Sequence, residues 1–141
     1  MSVDGRVLDV KDTLDDLIAQ LSLPIAFFIH GIHGNLASLA KSNDASEGKA
    51  VSDVFGSAVP CSSTKGWTGH LLGAAGITEA VIGMLAVEHG FMPGSVNTQR
   101  LDPAIAVNYQ IESREGKIDR VLSNSFGFGG SNCSLILGRK S

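Results

Sequence analysis

Apolar positions along the chain fall into short unbroken runs and spaced stripes, and the two alternate. Within 12–23, Leu14, Leu17, Ile18 and Leu21 recur at helical spacing. Asp12 or Thr13 can cap the start of that helix and Pro24 stops it. Residues 25–29 form a continuous apolar run with two phenylalanines, which reads as a buried strand. His-Gly-Ile-His-Gly-Asn at 30–35 reads as a loop. The next predicted helix covers 44–55, with Asp44 as cap, Glu47 at the capping-box position and Ala50, Val51 and Val54 facing inward. A short strand is expected over 59–62. Residues 71–90 give the clearest helix, rich in Ala, Leu, Ile and Val nearly all round, and therefore expected to be buried. Gly90 is its natural C-cap. A turn at 92–95 and strands over 105–111, 118–123 and 133–138 complete the chain. This order predicts the α/β class, with helices packed on a mixed sheet.

Composition narrows the function classes. With 141 residues, 43% hydrophobic and 18% charged, the chain suits one globular domain with a core of its own. A formal net charge of -3 argues against nucleic acid or an anionic membrane as the main partner. No apolar run looks long enough to span a bilayer, and the early acids Asp4, Asp9 and Asp12 do not fit a signal peptide. Cytoplasmic placement is the expectation. Cys61 and Cys133 make no disulfide framework and have no partner at metal-ligand spacing, so both read as reduced thiols and no metal site is expected.

Two segments carry chemistry. The first is Cys-Ser-Ser-Thr-Lys-Gly-Trp-Thr-Gly-His-Leu-Leu-Gly-Ala-Ala-Gly at 61–76. A strand ends, a polar loop presents Lys65 and His70, and a helix rich in small residues begins. Unpaired N–H groups near His70 favour a neutral imidazole that can still donate one N–H to a carbonyl oxygen. Lys65 adds positive charge, which suits an enolate or oxyanion. The plainer alternative makes Lys65 a solvated loop lysine and His70 a helix cap. The second segment, Asn-Ser-Phe-Gly-Phe-Gly-Gly-Ser-Asn at 124–132, interleaves aromatics with glycines that permit tight turns and close approach to a ligand. A phosphate cradle fits poorly, since no Lys follows at P-loop spacing, and a hairpin turn is the bland reading.

Together, in this order and separation, the two segments resemble the β-ketoacyl-acyl-carrier-protein synthases, over a stretch from about Asp44 to Lys140. The resemblance implies the second half of a thiolase-type layered fold made of two similar halves. It divides the chain into a non-family segment, 1–24, and a β-ketoacyl synthase C-terminal domain, 25–141. It implies that His70 binds the malonyl thioester carbonyl and stabilises the carbanion formed on decarboxylation. Lys65 matches the family lysine, Glu47 its acidic partner, and Thr68 a supporting position. Phe126, Gly127, Phe128 and Gly129 match the loop beside the catalytic cysteine, the first phenylalanine acting as a gate. No cofactor is implied, because the substrate arrives on the phosphopantetheine arm of acyl-carrier protein.

The match has gaps. The family's nucleophilic cysteine belongs to the other half, and neither Cys61 nor Cys133 lies in such a context. Of two histidines near the family's His-Gly-Thr-x-Thr position, His33 takes the first-histidine role and His30 is the alternative. The two threonines are replaced, Asn35, Leu36 and Ala37 standing there. Met1 then reads as a start inside a split or broken gene, or as that of a short subunit. Three functions follow: half of a condensing enzyme that needs a cysteine-bearing half or a homo-oligomer, a non-catalytic module that binds acyl-carrier protein or a complete synthase, or a free-standing malonyl decarboxylase.

Overall fold

The computed structural model describes residues 27–29, 37–103, 106–126 and 132–139. The predicted helix over 12–23 lies outside them. The described elements are β1 (Phe27–Ile29), α1 (Ala37–Phe55), β2 (Pro60–Ser62), a one-turn helix α2 (Lys65–Thr68), a 3₁₀ turn (Leu72–Ala74), α3 (Ala75–His89), β3 (Phe91–Met92), β4 (Asn108–Tyr109), β5 (Arg114–Glu115), β6 (Arg120–Phe126) and β7 (Asn132–Gly138). Five strands form one sheet in the order β4-β2-β1-β6-β7. Its β4, β2, β1 and β6 strands are parallel, and β7 returns antiparallel along β6. The remaining two, β3 and β5, make a small antiparallel ribbon that the sequence pattern did not suggest.

Helices cover both faces of the sheet, and the alternation of side chains along a strand decides which residue meets which helix. On one face, Ala50 and Val51 of α1 pack with Val59, Cys61 and Leu122. On the other, Ala86 and Val87 of α3 pack with Met92, Ile118 and Val121. Neighbours Val121 and Leu122 thus belong to opposite cores. Where α3 crosses the sheet, a Cβ on Gly83 would lie 3.2 Å from Val121, so the missing side chain brings the helix close to β6. The end of α3 is held by Gly90 in the left-handed region (φ 64°), as predicted. Arg139 adds to this by donating to the Val87 and Glu88 carbonyls, where the helix dipole is negative.

Four expectations are corrected. The helix placed at 44–55 begins at Ala37, so Asp44 is no cap and Glu47 is mid-helix. Residues 37–43 contain no Gly or Pro, and nothing there stops the helix extending backward. The strand expected over 105–111 is limited to Asn108–Tyr109. The helix expected to be buried is buried along one face only. Its inner line is Glu79, Ala80, Gly83, Ala86 and Val87, whereas Ile77, Val81, Met84 and Leu85 are exposed. Leu72–His89 is also long and apolar enough to cross a membrane by length and composition alone, contrary to the sequence reading. The ion pair made by Glu79 and the contact with β6 identify the inner face of α3 as a sheet-packing one.

Candidate active site

Parallel strands β1 and β2 end level with one another, and β6 continues three residues past them. Ile29 pairs in register with Ser62 and with Ser123. The chain leaving each strand therefore enters the same edge, the carboxyl end of the sheet, where open α/β sheets place their ligands. Lys65 and His70 follow β2, and Asn124, Ser125 and Phe126 continue β6. His30 and His33, which follow β1, lie outside the described residues, as do Gly127, Phe128 and Gly129. Phe126 ends β6, half-buried and opposite Asn132.

Lys65 is held by a residue the sequence reading passed over. Its Nζ lies 3.2 Å from Oε1 of Glu79, and their side chains are only 12% and 4% exposed. Ser123 Oγ, on the same face of β6, is 3.5 Å from the other carboxylate oxygen. The ion pair expected with Glu47 does not form. Glu47 is fully buried on α1, whose core lies on the opposite face of the sheet, where its charge is felt by Cys61. An available signal was that Glu79 interrupts an otherwise apolar stretch, since a carboxylate buried there needs a counter-charge.

His70 is exposed, and its ring orientation is set locally. The backbone N–H of Leu72 donates to His70 Nδ1 at 3.1 Å. An Nδ1 that accepts carries no proton, so a neutral ring bears its proton on Nε2. Two backbone features produce this turn. Gly69 adopts φ 73°, ψ 179°, a region essentially closed to side-chain-bearing residues, and Leu72 sits at φ 50°. Beyond it, a Cβ on Gly76 would lie 3.1 Å from Ser125 Oγ, so the start of α3 closes directly on β6. Thr68 stays within the loop, its Oγ1 3.0 Å from the Gly69 carbonyl.

The two cysteines differ in exposure. Cys133 is exposed on β7. Cys61 is completely buried, and desolvation, aided by the nearby Glu47 charge, pushes its thiol from 9.0 up to about 12. In the native chain at pH 8.5, iodoacetamide is expected to label Cys133 alone, with the second thiol appearing only after denaturation. Mass spectrometry reads the ratio, and two labels on the native chain would disprove the burial. The linkage has a definite sign: between pH 9 and about 12 the unfolded thiol loses its proton while the folded one keeps it, so stability falls as pH rises through that window. Cys61→Ala should remove that component of the slope.

Comparisons with known proteins bear on the family and the fold. The family described as "Beta-ketoacyl synthase, C-terminal domain" matches residues 37–99. The chain is 45% identical over 96 residues to 3-oxoacyl-acyl-carrier-protein synthase 1 of Escherichia coli (strain K12), covering 67% of this chain and 24% of that protein. It is 39% identical over 125 residues to the Haemophilus influenzae enzyme of the same name, covering 86% and 30%. Among solved structures, the ishigamide ketosynthase/chain length factor superposes with a TM-score of 0.83 at 28% identity, over 94% of this chain and 33% of that one. A ketosynthase in complex with its chain length factor from Xenorhabdus doucetiae gives 0.77 at 35% identity, over 91% and 32%. The chain thus spans about a quarter to a third of the length of these relatives.

Proposed function

Because the chain belongs to the β-ketoacyl synthase family and carries the C-terminal part of that fold, we propose that it supplies the malonyl-activating side of a decarboxylative condensation, with residues 25–141 as the family domain. The carrying observation is the loop in which His70 has its Nδ1 occupied by Leu72 while Lys65 is charge-paired with Glu79. In this reading the His70 Nε2–H donates to the thioester oxygen of malonyl-carrier protein. The bond between the carboxylate and the α-carbon breaks, carbon dioxide leaves, and the electron pair passes into an enolate whose oxygen His70 and the Lys65 charge stabilise. The enolate carbon then attacks an acyl thioester on a cysteine. A carbon–carbon bond forms, the carbon–sulfur bond breaks, and the thiolate leaves.

That cysteine comes from a second polypeptide half, since Cys61 is buried with its thiol pushed up to about 12, and Cys133, exposed on β7, lies outside the two segments that carry the candidate chemistry. The acyl-carrier protein is the other partner, in the cytoplasm, and its phosphopantetheine arm delivers the substrate without a further cofactor. Two similar structures support partners of these kinds, one an acyl-carrier protein in complex with its ketosynthase and the other a ketosynthase with its chain length factor.

The exposed side of α3 is the face the second half would cover. Ile77 is 67% exposed and Met84 51%, and Val81 and Leu85 are exposed with them. An apolar stripe of this kind is an association surface in a soluble chain. The test combines the chain with a cysteine-bearing synthase half and malonyl-carrier protein. Stable association in sedimentation and carbon dioxide release by the mixture are the expected results. A Val81→Glu/Met84→Glu variant should lose both while keeping its helical circular dichroism. A wild-type mixture that associates but releases no carbon dioxide would favour the non-catalytic binding module.

A further inference from the structure

The loop that presents Lys65 is fastened from outside by a segment that the chemistry so far leaves idle. Residues 94–97, Gly-Ser-Val-Asn, follow the β3 strand and lie alongside the loop. Three hydrogen bonds join them, and they bracket Lys65 on both sides. Before it, the Ser63 N–H donates to Ser95 Oγ at 3.0 Å. After it, Asn97 Nδ2 donates to the Gly66 carbonyl at 3.1 Å. Next, the Trp67 indole N–H donates to the Gly94 carbonyl at 2.9 Å. The backbones are in close contact at the centre of the clamp, where a Cβ on Gly66 would fall 2.0 Å from the Val96 carbonyl oxygen.

The clamp is anchored to the sheet. Ser95 is buried, and its N–H donates to the Gln110 carbonyl, while the Gln110 N–H donates to the carbonyl of Cys61 in β2. The Gly94 N–H donates to Ser113 Oγ at 2.9 Å. A rigid path therefore runs from β2 through 110 and 95 back to the residues that follow β2. Asn97 adopts φ 66°, in the left-handed region that costs most residues energy and that Asn tolerates best after Gly. Its exposed side chain spends its amide on Gly66. A strained backbone held by a bond to a loop carrying candidate catalytic groups is a positioning arrangement.

We propose that Ser95 and Asn97 are positioning residues, which fix the height of the Lys65–His70 loop above the sheet edge and so set where the Lys65 charge and the His70 donor stand. Their effect on catalysis rests on the condensing-site reading; their hold on the loop does not. Trp67 is the single tryptophan of the chain and one of the clamped residues, so its emission reports the clamp directly.

Two variants separate the bond from the backbone. Asn97→Gly keeps the left-handed conformation and loses the amide, and Asn97→Asp keeps the size and loses the donor. In both, hydrogen exchange of amides 65–70 should quicken about fivefold, as loss of one ordinary hydrogen bond implies. Acrylamide quenching of Trp67 should rise, with the melting transition close to that of the parent chain. In the assembled pair with malonyl-carrier protein, kcat for carbon dioxide release should fall about tenfold with KM little changed, the mark of lost orientation and not of lost binding. Unchanged loop exchange and Trp67 quenching in both variants would overturn the proposal, as would a loosened loop with unaltered kcat. If the parent pair releases no carbon dioxide, the condensing-site reading has failed, and exchange and quenching still decide whether the clamp exists.

Discussion

His70→Ala is expected to lower carbon dioxide release from malonyl-carrier protein by about a hundred- to a thousandfold in the pair formed with a cysteine-bearing half, the scale at which a single preorganised oxyanion donor acts. The argument starts from the ring tautomer. Leu72 donates to Nδ1, so the proton of a neutral His70 sits on Nε2. The donor is therefore set before substrate arrives, and the backbone at Gly69 and Leu72 carries the conformational cost of setting it. Charge grows on the thioester oxygen only as the carboxylate departs, so the loss should fall on kcat more than on KM. His70→Gln, which retains an N–H donor, should recover part of the rate. Isotope release from labelled malonyl-carrier protein measures this directly. Equal rates in parent and His70→Ala pairs would remove His70 from the reaction.

Lys65→Met is expected to destabilise the fold by about 3–5 kcal/mol, the cost of leaving a buried partner charge uncompensated. With Glu79 only 4% and Lys65 12% exposed, solvent can do little to replace the lost ammonium. Ser123 Oγ, 3.5 Å from the second carboxylate oxygen, is a poor substitute. Adding Glu79→Leu should restore most of the loss, because a buried ion pair replaced by apolar groups of similar volume leaves no uncompensated charge. Urea unfolding of the parent, the single variants and the double variant closes the cycle. A Lys65→Met chain as stable as the parent would mean that the pair is solvated and contributes nothing. The double variant should be folded and inactive, which separates the structural role of the pair from its chemical one.

Much of the architecture was legible from local pattern. The final helix-forming stretch, its Gly90 cap, the short strand before the Lys65 loop and the last two strands all follow from spacing and punctuation, and each is found within a few residues of its expected place. Elements with weak local signals were misjudged. The ribbon of β3 and β5 is two residues per strand and exists only through its pairing. The start of α1 was misplaced because a good capping residue, Asp44, lay inside a longer stretch of helix-compatible sequence. Among the described residues the shortened β4 pairs with Pro60 and Cys61, so its extent is set by the neighbouring strand and not by its own apolar run.

The site divides along the same line. Sequence alone determined the chemistry on offer: a lysine and a histidine five residues apart, between a strand and a small-residue helix, and an aromatic glycine loop after another strand. Those features identify the β-ketoacyl synthase fold because they are consecutive in the chain. Tertiary structure decided who serves whom. Glu79 and not Glu47 meets Lys65, because alternate residues of a strand face opposite sides and the two glutamates ride on helices covering opposite faces of the sheet. Ser95 and Asn97 reach the loop from some thirty residues away, through side-chain hydrogen bonds to its backbone that carry no periodic signal. The apolar circumference of α3 is written in its sequence; that only one side of it is covered in this chain follows from which surfaces the sheet is able to reach.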